Sequence, residues 1–145
     1  PTILVTSQSS GHRVVGLSRD ESQQALAEGL LTRWREVAKL GTKVAVIRDT
    51  PWMARNVPEC MSAPDASVEK CSTKAEQAFQ TDSIMLAMKR RPDVLFFDLS
   101  NSICETSMCP PVKGQVLIWR DRHHLTATFA RLLAPEFDAL LAAAP

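Results

Sequence analysis

Four short apolar runs, Ile3 to Val5, Val44 to Ile47, Val94 to Phe97 and Val116 to Trp119, most limit what this chain can fold into. Each is about as long as a strand, and their unbroken apolar character suits strands covered on both faces rather than one. Between the first two, Ala25, Leu26, Leu30, Trp34, Val37, Ala38 and Leu40 recur at helical spacing, which predicts a helix from about Glu21 to Leu40 that stops at Gly41. Trp34 is expected in its buried face. Between the second and third, Ala75, Ala78, Phe79, Met85, Leu86 and Met88 predict a helix from about Ser72 to Arg91. Lys89, Arg90 and Arg91 suit the negative end of its dipole, and Pro92 ends it. After the fourth run, Leu125, Phe129, Leu132, Leu133, Phe137, Leu140 and Leu141 predict the inward face of a closing helix, with Pro135 as a kink or early break. The order strand, helix, strand, helix, strand, strand, helix is that of an α/β fold, an open and mainly parallel sheet flanked by helices.

The 145 residues are 45% hydrophobic, enough for one domain with its own core. Seventeen basic and sixteen acidic side chains leave a formal charge of +1 with no basic run, which argues against a nucleic-acid partner. No apolar run approaches the roughly 20 residues that cross a bilayer, and no charged-then-apolar leader opens the chain. A phosphate-binding glycine pattern is absent, so no nucleotide cofactor is expected. The chain starts at Pro1 with a strand-like run almost at once, which reads as a piece of something longer.

Cys60 and Cys71, and Cys104 and Cys109, each bracket a short loop of turn-forming and charged residues. Two local disulfides are the expected use, and they imply an oxidising compartment. Four cysteines allow three pairings, and a zinc site or reduced thiols stay open as alternatives, although no histidine stands at a zinc-finger spacing. No metal site is expected. The stretch from 51 to 73, with Pro51, Pro58, Cys60 and Pro64, has no evident period and reads as a tethered lid or substrate wall.

Open α/β sheets place their sites at the carboxyl ends of strands. Three such ends carry chemistry here. Ser7, Gln8, Ser9 and Ser10 follow the first strand and offer oxyanion donors or a hydroxyl, although such a run also makes a plain solvated turn. Asp49 and Trp52 follow the second, with Trp52 and Met53 either touching a ligand or packing under their own loop. Asp121 and His124 follow the fourth and stand three residues apart, so a carboxylate can hold one imidazole nitrogen while the other accepts a proton. His12 reads as an exposed loop histidine.

The segment Arg120-Asp121-Arg122-His123-His124-Leu125-Thr126 resembles the last block of the SGNH hydrolase superfamily, Asp-x-x-His just before the final helix. More narrowly, it resembles the Arg-Asp-x-x-His-Leu-Ser/Thr ending of SGNH domains fused to membrane acyltransferase-3 proteins. Asp49-Thr50-Pro51 matches their Asp-x-Pro strand end, and Pro58-Glu59-Cys60 their Pro-x-Cys loop. Cys104 to Cys109 with Pro110 matches a Cys-x-x-x-x-Cys-Pro segment, and the agreement runs from about residue 43 to the end.

The resemblance implies a three-layer SGNH or flavodoxin-like fold, incomplete at its N-terminus, with residues 1–145 as the C-terminal part of a single domain. His124 would be the general base, Asp121 its orienting carboxylate, and His123 a neighbour outside the triad. The reaction implied is acyl transfer or ester hydrolysis on a cell-envelope glycan or glycolipid, with the acyl donor delivered by an integral-membrane acyltransferase. The place implied is periplasmic or otherwise extracytoplasmic, in a membrane-anchored protein. The family's Gly-Asp-Ser nucleophile block has no match in the chain. The nucleophile is therefore expected from an upstream segment, Thr6 to Ser10 on the oxyanion side, and the 145 residues alone are expected to be inactive. Two other readings compete: a binding or assembly module that lost its nucleophile, and a disulfide-stabilised domain whose Asp121 merely caps the last helix.

Overall fold

The computed structural model describes residues 2–5, 11–80 and 82–143, the first four by their backbone alone. The elements in chain order begin with β1 (Thr2–Val5), α1 (Arg19–Lys39), β2 (Lys43–Ile47), α2 (Val57–Met61), α3 (Val68–Cys71) and β3 (Thr73–Lys74). They continue with α4 (Ala75–Ala78), α5 (Ser83–Met88), β4 (Leu95–Phe97) and α6 (Ser100–Ile103). Three two-residue strands, β5 (Met108–Cys109), β6 (Val112–Lys113) and β7 (Val116–Leu117), precede the closing helix α7 (Ala127–Ala142). These elements form two compact units, one of Pro1–Asp49 with Thr81–Asp98 and one of Thr50–Gln80 with Leu99–Pro145.

The first unit holds the parallel sheet, in the order β1-β2-β4. Thr2 pairs with Lys43 through to Val5 with Val46, and Ala45 to Ile47 pair with Leu95 to Phe97. Val44, Ala45 and Val46 are buried, as an unbroken apolar run in a central parallel strand should be. Helix α1 starts on a capping box between Ser18 and Glu21, and Gly41 follows its last turn with φ +72°, a backbone region that glycine enters without steric cost. Its buried face is Ser22, Gln23, Ala27, Leu31 and Trp34. That stripe is rotated from the one read in the sequence: Trp34 is buried as expected, but Ala25 is exposed and Leu40 is 81% exposed. Ala27, Leu31 and Trp34 pack with Val44, Val46, Ile84, Ala87 and Val94 as one core. Buried Gln23 accepts the Ser83 amide at 2.8 Å and so ties α1 to the start of α5.

The single helix expected from Ser72 to Arg91 is instead two helices. Phe79 leaves the helical region, and Asp82 is extended and caps α5 by accepting the Met85 amide at 2.8 Å. Ala78 belongs to the core of the second unit, whereas Ile84 and Ala87 belong to that of the first. Two short apolar faces serving different cores thus mimicked one period.

In the second unit, Met53, Val57, Ala78, Ile103, Ile118, Trp119, Phe129 and Leu133 form the core with Cys104 and Cys109. The stretch 51–73 is not structureless: it carries α2, opened by Pro58, and α3, capped by Ser67. The Cys60–Cys71 disulfide joins α2 to the end of α3, and Cys104–Cys109 forms the second bridge. Thr73, two residues after Cys71, pairs antiparallel with Cys109, so the β3–β5 ladder starts close to one bridge and carries a cysteine of the other. The fourth apolar run does not extend the parallel sheet: Val116 and Leu117 pair antiparallel with Lys113 and Val112 around Gly114, while Ile118 and Trp119 are fully buried. Helix α7 runs through Pro135 without ending. Phe129 and Leu133 face inward as read, but Leu132 is 58% and Leu141 41% exposed, so the apolar stripe is wider than the face it buries.

Candidate active site

The second unit places the Trp119-to-Thr126 segment between a buried indole and the first turn of α7. Trp119 and Leu125 form an isolated antiparallel bridge, and the Arg120 amide donates to the His124 carbonyl at 2.8 Å, which closes a tight loop over 121–123. Thr126 anchors the far end: its amide donates to Ile118 O at 2.8 Å and its hydroxyl to Leu117 O at 2.7 Å. The same hydroxyl accepts the Phe129 amide at 3.1 Å and is the N-cap of α7. The reading of Asp121 as that cap is therefore corrected; Thr126 stands where the helix begins.

Asp121 works inside the loop. Its Oδ1 accepts the amides of His123 and His124 at 2.8 and 2.9 Å, and its Oδ2 lies 2.6 Å from His124 Nδ1. Partial burial pushes this carboxyl up, but the two amides and the His124 imidazole outweigh it and hold Asp121 well below the ordinary carboxylate range. A carboxylate at Nδ1 stabilises the tautomer with its proton there, which leaves the lone pair on Nε2. The His124 side chain is 49% exposed, so that nitrogen sits on a ring open to an incoming hydroxyl.

Residues of the 50–53 segment complete the surroundings. The Trp52 amide donates to Ala78 O at 2.9 Å, the Met53 amide to Arg122 O at 2.7 Å, and the Thr50 hydroxyl to His123 O at 2.7 Å. Arg122 Nε returns a bond to Met53 O at 3.2 Å. The Trp52 and His123 rings stack at 4.3 Å and 10°, and His123 lies 4.0 Å from the His124 ring at 41°. Burial first, then the neighbouring His124, Arg122 and Arg120, lower the His123 pKa against the opposing pull of Asp121. Met53 is buried in the core under its own loop, while Trp52 is half-buried against His123.

Asp121 and His124 are therefore brought together, and Trp52 reaches their neighbour His123. Ser7, Gln8, Ser9 and Ser10 lie outside the described residues, and Asp49 belongs to the first unit. His12 is exposed there, as read. Thr50, Arg122 and the structural part of His123 were not read from the sequence; only Thr126, three residues before Phe129 at a helix start, carried a local signal. Asp121, His123 and His124 also bring one donor atom each within 4.8 Å of one another. The 2.6 Å between Asp121 Oδ2 and His124 Nδ1 is a hydrogen-bond distance, shorter than the roughly 3.3 Å between two ligands of a tetrahedral zinc.

Residues 2–139 match the family model described as SGNH domain (fused to AT3 domains). A solved structure, that of a Salmonella ser. Paratyphi A lipopolysaccharide acetyltransferase periplasmic domain, has a similar fold with a TM-score of 0.66 at 13% identity. The likeness covers 97% of this chain and 56% of that one, so the chain spans little more than half of its neighbour. No curated protein matches the chain.

Proposed function

The chain belongs to the SGNH domains fused to AT3 domains, and from that premise we propose that Asp121 and His124 are two members of a Ser-His-Asp triad for acyl transfer or ester hydrolysis. The observation that carries this reading is the 2.6 Å contact of Asp121 Oδ2 with His124 Nδ1, held by a loop whose amides also bind the carboxylate. In such a triad His124 Nε2 takes the proton of a serine hydroxyl as its oxygen attacks an acyl carbonyl. The tetrahedral intermediate collapses, the leaving alcohol takes that proton, and an acceptor hydroxyl or water then releases the acyl group by the same route. No Gly-Asp-Ser occurs among the 145 residues. On this reading the serine comes from outside them, and residues 1–145 are the C-terminal part of one SGNH-like domain.

The proposed acceptor is a glycan or glycolipid of the cell envelope, and the proposed acyl source a membrane acyltransferase domain in the same protein. Both disulfides suit the periplasmic or other extracytoplasmic face this requires. Among the described residues no helix is long and apolar enough to cross a membrane.

The test is hydrolysis of p-nitrophenyl acetate by the 145 residues alone and by the polypeptide extended upstream to include a Gly-Asp-Ser strand end. The extended protein should be active and lose at least about a thousandfold in kcat/KM on His124→Ala. Activity of the 145 residues alone that vanishes in His124→Ala would overturn the external serine. An extended protein that binds envelope glycan but hydrolyses nothing would favour the binding or assembly module instead.

A further inference from the structure

We infer that His123, backed by Trp52, is the positioning residue that sets the angle of the His124 ring. The inference rests on the reading of His124 as the base. One hydrogen bond, from Nδ1 to Asp121 Oδ2, fixes a point on the His124 imidazole but leaves the ring free to turn about that bond. The ring packs on His123, 4.0 Å away and tilted by 41°. His123 is itself held against turning: Trp52 lies flat on it at 4.3 Å and 10°, its amide donates to Asp121 Oδ1, and its carbonyl accepts the Thr50 hydroxyl. Trp52 is anchored in turn by its amide on Ala78 O, and the next residue by its amide on Arg122 O. Three rings, Trp52, His123 and His124, thus form a pile whose outer member carries the proton-accepting nitrogen and whose other two are fixed by backbone bonds.

The chemistry of the middle ring shows which property matters. His123 Nδ1 is buried without a hydrogen-bond partner, and so is Trp52 Nε1. His123 Nδ1 lies 3.7 Å from Asp121 Oδ1, beyond hydrogen-bond distance, so neither of these two nitrogens ties the pile together, and the contribution of His123 is assigned to its flat shape. A phenyl ring should serve as well. Misplacement of a general base by a fraction of an ångström costs rate without touching ground-state binding, so the effect belongs in kcat.

The experiment compares His123→Phe, His123→Ala and Trp52→Ala in the upstream-extended protein with p-nitrophenyl acetate, and follows the His124 Nδ1–H resonance by NMR in the 145-residue chain. His123→Ala and Trp52→Ala should each lower kcat by about 10- to 100-fold with KM within about twofold, and broaden or remove that resonance. His123→Phe should keep kcat within about threefold of wild type and keep the resonance. Equal losses in His123→Phe and His123→Ala, with both folded by circular dichroism, would overturn the inference, because the nitrogen would then matter. An unchanged resonance in His123→Ala would overturn it too. Failure of the base reading is seen separately, as activity that survives His124→Ala while the resonance still responds to His123.

Discussion

The two oxygens of Asp121 have different partners, Oδ1 the amides of His123 and His124 and Oδ2 the His124 imidazole, so one substitution can separate them. Asp121→Asn keeps an acceptor for the amides but turns an NH2 toward Nδ1, which favours the opposite tautomer. The expected result is a folded protein with its thermal midpoint within a few degrees of wild type and kcat lower by about 10⁴-fold, read by calorimetry and ester hydrolysis. Because the folded pKa of Asp121 is depressed, its stabilising contribution is present above the ordinary Asp range and is lost only as pH falls through the folded value below that range. His123 has the opposite sign. Its folded pKa is lowered chiefly by burial, so protonation costs stability once pH falls below the ordinary value near 6.5, and the cost grows toward the folded pKa. His123→Phe should therefore match wild type in urea midpoint at pH 8 and exceed it at pH 5; a wild-type midpoint flat between those values would contradict this.

At the scale of elements, helix ends decide more than helix interiors. Thr126 caps α7 and also bonds Leu117 O, so Thr126→Ala should cost about 1–2 kcal/mol in denaturant unfolding. Asp82 caps α5 from a buried position, and burial, only partly offset by the Met85 amide and Arg48, raises its pKa. A raised carboxyl penalises the folded state above its folded pKa and stops doing so below the unfolded one. Asp82→Asn keeps the cap and removes the charge, so it should raise the urea midpoint at pH 7 and converge with wild type near pH 3. The apolar spacing on either side of Asp82 predicted one continuous helix, because a spacing does not say which core each residue enters. Of the two readings of Pro135, the early break is excluded, since α7 runs through it to Ala142.

At the scale of the whole molecule, two cores share one chain that passes between them more than once, and the cysteines serve one of them. Cys60–Cys71 and Cys104–Cys109 both belong to the second unit, and Thr73, beside Cys71, accepts the Ala54 amide with its hydroxyl at 2.9 Å. This links the bridged ladder to the 50–53 segment that holds the ring pile. Replacing Cys60 and Cys71 by Ala should cost about 2–3 kcal/mol of the second unit's stability, with the shorter Cys104–Cys109 loop worth somewhat less. Hydrogen exchange should show the loss in amides of 50–80 and 99–143 and leave those of α1 and β2 unchanged.

Local chemistry was enough to mark the three parallel strands, the long first and last helices, both disulfide pairs and the Asp121–His124 spacing, because each depends on residues close in sequence. Tertiary structure alone decided that Val116 to Trp119 would turn into a hairpin and a buried core edge, and that the middle helix would break at the passage between cores. Those outcomes depend on which distant surface covers a side chain, and a one-dimensional pattern does not carry that. The ring pile is the clearest case: Trp52 and His123 are 71 positions apart, and the hydrogen bonds of Thr50, Met53 and Arg122 across the two segments bring their faces together.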